Sequence, residues 1–279
     1  MLIDLQRVLW DLGLKKGEKV AVWAPNVPYW IALQFATAKI GAILLTVNTH
    51  YKSSELKYLL SQSEAENLFL VEGYRDSDYL SMVYDLVPEL KEQPREYLKS
   101  KELPNLKRVC YLGHEKYKGV YSIPEIIGMG NIVSDEEYKK RQEELSPHDV
   151  VNMQYTSGTT GFPKGVMLTH YNILNNGFWV GENMKLTHKD KICLPVPLFH
   201  CFGCVLGVLA AVSHGATLVV LEEFNPLLAM SSIQAEKCTA YMGCPQCLLQ
   251  YLNIPCFPDL ITPLSGLELW QDHHVQLRS

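Results

Sequence analysis

The sequence has no strong basic cluster. Its 25 Lys and Arg are scattered among 30 Asp and Glu, for a net charge of −5. A nucleic-acid-binding face needs concentrated positive charge, so no nucleic acid partner is expected. Glycine and proline are no more than average, at 18 and 15 in 279 residues. That excludes low-complexity and collagen-like chains. No internal repeat is present, which argues against solenoids and propellers. The opening MLIDLQRVLWDLGLKKGEKV holds Asp4 and Asp11 inside its apolar run. A secretory leader needs a basic start, an unbroken apolar stretch and a small-residue cleavage site, and none is found. Eight cysteines without such a leader point to reduced cytosolic thiols and a cytoplasmic location. The stretch 192–212 is long enough to cross a bilayer. Pro195, Pro197, His200 and Gly203 interrupt it, so it reads as a buried strand, a turn and a buried helix. No transmembrane segment is expected, and peripheral membrane contact is left open.

Hydrophobic residues make up 47% and charged residues 20%, enough for a sizeable core. Leu2, Leu5, Leu9 and Leu12 recur at helical spacing up to Gly13, as if the chain began inside an element. Beyond them, strand-like and helical runs alternate. Strands are expected at 19–24, 42–47, 67–71, 107–112, 150–156, 166–169, 191–194, 217–221 and 239–241. Helices are expected at 28–40, 54–61, 77–101, from a capping box at Ser134–Glu137 to 145, from about 171, and at 202–212, 226–236 and 246–252. Such alternation predicts an α/β fold with largely parallel sheets flanked by helices. The polar stretch 113–148 is the expected join between two sub-regions.

The most informative segment is TSGTTGFPKG, Thr156 to Gly165. It follows a strand and leads into another apolar run. Glycines let backbone N–H groups face a ligand closely. The hydroxyls add donors and Lys164 adds positive charge, which together suit phosphate oxygens. It is not a Walker A loop, which would need glycine at position 163 and Ser or Thr at 165; the chain has Pro163 and Gly165. Nor is a dinucleotide fingerprint present, because Gly128 and Gly130 are followed by Val133 where glycine is required. A ligand-free Ser/Thr/Gly turn is the bland alternative. The density of donors with a terminal lysine favours phosphate.

YTSGTTGFPKGVMLTHYN resembles the signature of the adenylate-forming (AMP-binding) superfamily. GLKKGEKVAVWAPNVPYW at 13–30, AILLTVNTHY at 42–51, PVPLFHCFG at 195–203 and AYMGCP at 240–245 resemble further blocks of its fatty-acyl-CoA synthetase branch, in the family's order. The resemblance implies the incomplete N-terminal domain of an adenylate-forming enzyme over 1–260. It also implies ATP, Mg2+ and CoA as co-reactants and a fatty acid as the small-molecule substrate. A carboxylate attacks the α-phosphate of ATP, and the CoA thiol then displaces AMP from the acyl-adenylate. By this resemblance Thr156, Ser157, Gly158, Thr159, Thr160 and Gly161 hold phosphates and Lys164 adds charge. Removing one donor from such a site typically costs ~3 kcal/mol of barrier. His200 would lie between acyl group and α-phosphate. Tyr241 and Gly243 would lie along the acyl tunnel, and Phe199, Cys201 and Gly203 near it. Phe178 and Trp179 read as core.

Two Cys-x2-Cys pairs, Cys201/Cys204 and Cys244/Cys247, offer a minority alternative, a zinc or redox module. The first lies in an apolar run without charged neighbours, and both coincide with family segments that bind no metal. Elsewhere the chain departs from the family. No tyrosine is followed by glycine and no glycine by aspartate, so the adenine and ribose blocks are missing. The last lysine is Lys237, so the lysine of the small C-terminal domain is missing too. Residues 261–279 read as a divergent, poorly ordered tail. The expectation is a polypeptide inactive on its own; a non-catalytic remnant or regulator that binds phosphate or acyl groups is the second reading.

Overall fold

The computed structural model describes residues 5–129, 134–156, 162–244, 247 and 268–270. They divide into two compact units, residues 1–171 and 172–279. The division falls after the sheet of the first unit is complete, not in the polar stretch 113–148. That stretch is internal, because the chain beyond it returns to the first sheet.

In the first unit, helix α1 (Leu5–Asp11) buries Leu5, Val8 and Leu9. Gly13, at φ +87°, takes the left-handed turn that follows it. Strand β1 (Lys19–Trp23) and strand β2 (Ile43–Thr46) pair in parallel through helix α2 (Pro28–Ile40). Pro28 opens α2, where its missing N–H costs nothing, and Gly41 closes it with φ 76°. Helix α3 (Ser53–Ser63) leads to β3 (Asn67–Leu70) on the other side of β1. A small hairpin, β4 (Gly73–Tyr74) with β5 (Ser77–Asp78), precedes helix α4 (Tyr79–Leu86). Strands β6 (Arg108–Tyr111) and β7 (Tyr121–Ser122) extend one side of the sheet. Helices α5 (Ile123–Met129) and α6 (Asp135–Glu143) follow. The capping box of α6 is formed, with Ser134 and Glu137 exchanging hydrogen bonds at 3.2 Å. Strands β8 (Val150–Tyr155) and β9 (Gly165–Thr169) complete the other side.

The described strands of this sheet run β7-β6-β3-β1-β2-β8-β9, parallel except for the antiparallel β8/β9 hairpin. β2 and β3 are buried throughout and β1 nearly so, as strands covered on both faces must be. Trp23 stacks on Tyr79 with ring centres 3.7 Å apart, and the Tyr79 hydroxyl donates to the carbonyl of Thr49 across 2.6 Å.

In the second unit, strands β10 (Lys191–Leu194), β11 (Thr217–Val220), β12 (Ala240–Met242) and β13 (Glu268–Trp270) form a parallel sheet in the order β11-β10-β12-β13. β13 falls within the segment expected to be a loose tail. Helix α7 (His170–Asn183) leads into this unit. Helix α9 (Pro226–Glu236) starts at Asn225, whose side chain accepts the Leu228 N–H across 3.0 Å. Cys193, Leu221, Ala229, Met230, Ile233 and Tyr241 form the core between α9 and the sheet. Asp190 ties the strand starts together. It accepts the Thr187 N–H across 2.7 Å and the Thr239 hydroxyl across 2.7 Å.

Three expectations need correction. The stretch 77–101 is not one helix. After α4 it makes only two short 3-10 turns, Pro88–Lys91 and Arg95–Tyr97, because Pro88 and Pro94 remove donors and restrict the residues before them. The segment 202–212 is a π-helix over Phe202–Leu209 that passes into a short α-helix α8 (Ala210–Ser213). Phe178 and Trp179 are not core. The buried face of α7 is Ile173, Gly177 and Gly181, and its glycines let the helix approach Leu209 and His214 closely. The two aromatic rings therefore turn outward, with Trp179 61% exposed. The helix expected at 246–252 lies outside the described residues, apart from Cys247.

Candidate functional site

The expected phosphate loop joins the two strands of the β8/β9 hairpin. Tyr155 pairs with Gly165 at its base, and the Thr156 N–H donates to the Lys164 carbonyl across 3.1 Å. Both ends are thus held together, and nine residues from 156 to 164 make the connection. Ser157, Gly158, Thr159, Thr160 and Gly161 lie outside the described residues. Thr156 and Lys164 are exposed. Among the described residues the Lys164 ammonium has no carboxylate partner, so its charge is available to an anion.

Helix α3 anchors this hairpin from below. The Tyr58 ring stacks on Phe162 with centres 5.2 Å apart, and its hydroxyl donates to the Pro163 carbonyl across 3.1 Å. One turn later, the Tyr155 hydroxyl donates to the side chain of Gln62. Burial pushes Tyr155 up to about 12, so its hydroxyl remains a donor through the neutral range. Sequence reasoning did not find this support. Tyr58 and Phe162 are about a hundred positions apart, and the only visible signal was an aromatic residue, Phe162, placed inside a polar loop.

His200 belongs to the second unit. It follows the turn after β10, at the entry to the π-helix, and is exposed. It is therefore not the core histidine its apolar surroundings would suggest. Its Nδ1 accepts the Phe202 backbone N–H across 3.1 Å. With Nδ1 accepting, the ring hydrogen sits on Nε2. Nε2 is then a donor with no partner among the described residues. The carbonyl of His200 accepts from Gly203 N–H at 2.9 Å and Cys204 N–H at 3.1 Å, which seats the ring at the helix start. A Cβ on Gly203 would collide with the Pro197 carbonyl, so the close approach of this turn requires glycine.

Tyr241 is 1% exposed, inside the core of the second unit. Gly243 sits beside its ring, where a Cβ would collide with the aromatic carbons. Phe199 is half-buried and Cys201 exposed. Of the cysteine pairs, Cys201 is exposed while Cys204 is fully buried, and Cys244 and Cys247 adjoin each other. Among the described residues no three His, Cys, Asp or Glu side chains gather as metal ligands, so the four-cysteine zinc alternative gains no support. No helix of the described residues is long and apolar enough to cross a membrane.

A largely parallel α/β sheet ending in a Thr/Gly-rich hairpin loop with an exposed lysine at its rim is the arrangement expected of an adenylate-forming domain. The chain belongs to that family: residues 5–270 match the family described as AMP-binding enzyme. The match continues past position 260, where the divergent tail was expected to begin. The chain is 47% identical over 261 residues to YngI of Bacillus subtilis (strain 168), whose name marks it as a proposed acyl-CoA synthetase; that covers 93% of this chain and 48% of the relative. It is 35% identical over 267 residues to the human medium-chain acyl-CoA ligase ACSF2, mitochondrial, covering 93% of this chain and 43% of the relative. The fold matches the anthranilate CoA ligase AuaEII in complex with anthranoyl-AMP at a TM-score of 0.78 and 22% identity, covering 96% of this chain and 47% of that one. The lineage is thus that of acyl-CoA synthetases, and the chain spans about half the length of the curated relatives it matches.

Proposed function

We propose that this chain supplies the triphosphate-binding loop and part of the acyl site of an ATP-dependent fatty-acyl-CoA ligase. The observation that carries the reading is the β8/β9 hairpin, closed by the Thr156–Lys164 hydrogen bond, with an exposed Lys164 at its rim that has no carboxylate partner among the described residues. A carboxylate oxygen attacks the α-phosphorus of ATP, the bond to pyrophosphate breaks, and CoA thiol later displaces AMP. An anion must approach a polyanion here, so the donors of residues 156–161 and the Lys164 charge serve to hold and screen the β- and γ-phosphates. The Nε2–H of His200 donates to the reacting carboxylate. Tyr241 and Gly243 contribute to the acyl wall. The acyl group is a fatty acid, a reading supported by the medium-chain ligase among its relatives.

Mg2+ enters with ATP as part of the substrate. The described side chains gather no ligand set for it, so no step is assigned to it. We place the protein in the cytoplasm, supported by the eight cysteines, of which seven are free thiols in the described part.

The 279-residue polypeptide on its own is proposed to have little or no ligase activity. Support comes from these 279 residues, which hold no Tyr-Gly and no Gly-Asp step. The second reading is a non-catalytic chain that binds phosphate or acyl groups through the same hairpin. ATP–pyrophosphate exchange with fatty acids tests the inactivity. Exchange near background is expected, and robust exchange refutes it.

A further inference from the structure

The sulfurs of Cys244 and Cys247 are 3.0 Å apart. The Cys247 N–H donates to the Cys244 carbonyl across 2.9 Å. A one-turn bond of this kind brings the two Cα atoms within the ~4.4–6.8 Å that a disulfide spans. Closing the sulfurs to a bond of ~2.05 Å needs about 1 Å of movement, within the reach of side-chain rotation. The two thiols differ in access: Cys244 is half-exposed and Cys247 is buried. Burial also pushes the Cys247 thiol up, to about 12, so it keeps its proton until a partner sulfur is in place.

We propose that Cys244 and Cys247 are a redox pair that closes reversibly to an intrachain disulfide on exposure to a hydroperoxide. The pair is independent of the nucleotide reading. Cys244, the sulfur an oxidant can reach, attacks a peroxide oxygen; the O–O bond breaks and the first water leaves, giving a sulfenic acid. Cys247 then attacks that sulfur. The S–O bond breaks, the S–S bond forms, and the second water departs with the Cys247 proton. Two thiols and one hydrogen peroxide become one disulfide and two waters, with sulfur oxidised and oxygen reduced. A dithiol reductant reverses the change by exchange. The second step is intramolecular between sulfurs already adjacent, so it outruns further oxidation of Cys244.

The competing thiols are less well placed. Cys110 and Cys204 are fully buried. Cys193 interacts with Cys238, which is half-exposed, but Cys193 is wholly enclosed in the core of the second unit and no one-turn backbone bond holds this pair, Cys193 lying in β10 and Cys238 just past α9. Among the described residues, Cys244 and Cys247 combine a half-exposed thiol with a partner sulfur 3.0 Å away and a one-turn backbone bond between them. The pair also touches the candidate acyl wall, since Cys247 interacts with Tyr241 and Cys244 directly follows Gly243. Closure would stiffen the end of β12 at that point.

The test is native treatment of the 279-residue chain with stoichiometric hydrogen peroxide, followed by alkylation of free thiols in denaturant and fragment-level mass mapping. The expected result is that the eight alkylatable thiols fall by two, that both lost thiols are Cys244 and Cys247 of the same chain, and that dithiothreitol restores them. Cys193→Ser keeps the two-thiol loss, while Cys247→Ser leaves Cys244 as a sulfenic acid captured by dimedone. A wild-type chain that first links Cys193 to Cys238, or carries over-oxidised Cys244 beside free Cys247, overturns the proposal. So does one that loses no thiol. These outcomes are read on wild-type protein and do not depend on a variant folding.

Discussion

The hydroxyl of Tyr58 donates to the carbonyl of Pro163 across 3.1 Å, while its ring lies on Phe162. A residue of α3 thus holds the descending limb of a loop about a hundred positions later in the chain. The neighbouring turn of the same helix holds the ascending limb through Gln62 and Tyr155. A loop that must present donors to a triphosphate gains from such support, because donors fixed in advance need no reorganisation.

Loss of this support should loosen the loop. The stack contributes about 0.5–1.5 kcal/mol and the hydrogen bond about 1 kcal/mol. Tyr58→Ala should therefore raise the rate of tryptic nicking after Lys164 by about tenfold. Tyr58→Phe, which keeps the ring, should raise it by a smaller factor. Equal rates for all three proteins would show that α3 does not restrain the loop.

Stability should fall at alkaline pH. Burial, with the nearby Glu72 carboxylate, pushes Tyr117 up to about 12, and burial does the same for Tyr155. Tyr79 is raised as well, by burial first. In the unfolded chain tyrosine ionises near ~10. The folded state then holds protons that the unfolded state has released, so stability is intact below pH 10 and declines as pH rises from about 10 towards 12. Melting followed by far-ultraviolet dichroism across this range checks the sign. A midpoint that stays flat or rises would contradict it.

Asp190 gives the acid counterpart. Burial alone would raise its carboxyl, but the Thr239 and Thr187 hydroxyls and the Thr187 amide outweigh that and hold it below the usual carboxylate range. Its contribution is present above ~pH 4 and lost as pH falls through the lowered value. Thr239→Val should cost about 1 kcal/mol at neutral pH. It should also shrink the difference in melting midpoint between pH 7 and pH 3. An unchanged difference would show that Thr239 does not stabilise the ionised form.

Gly177 separates helix propensity from packing. Alanine is the better helix former by about 1 kcal/mol. Yet a Cβ at Gly177 would stand 2.7 Å from Leu209 Cβ and 3.0 Å from the Val205 carbonyl. Crowding of this order costs about 1–3 kcal/mol, so Gly177→Ala should lower the melting midpoint. Trp179→Ser, on the exposed side of α7, should change stability by less than about 0.5 kcal/mol. A stabilised Gly177→Ala protein would mean that the helix can shift away from Leu209.

Where one short-range rule governed an element, the sequence was a good guide. The helix Pro28–Ile40 and the strand Lys191–Leu194 have the expected bounds. In the helix, proline and glycine mark the two ends; in the strand, both faces are covered and the run is apolar. The capping box at Ser134 was legible for the same reason. Elements defined by tertiary contact were not. β7 is two residues long and exists through its pairing with β6. The outward face of α7 was misread because its packing face is made of glycines, which carry no hydrophobic signal. At the site, the loop and its flanking strands could be read from composition, and His200 only from family context. The Nδ1 bond of His200 and the Tyr58 anchor required the fold.

The central claim is that residues 156–164 hold the triphosphate end of a nucleotide, and calorimetric ATP binding to the 279-residue chain tests it most directly. Saturable binding by the wild-type chain is expected, weakened about tenfold or more by Lys164→Ala through loss of a charge-assisted contact of about 1.5–3 kcal/mol. Equal affinity for ATP in the wild-type and Lys164→Ala chains, or no binding by a folded wild-type chain, would contradict it.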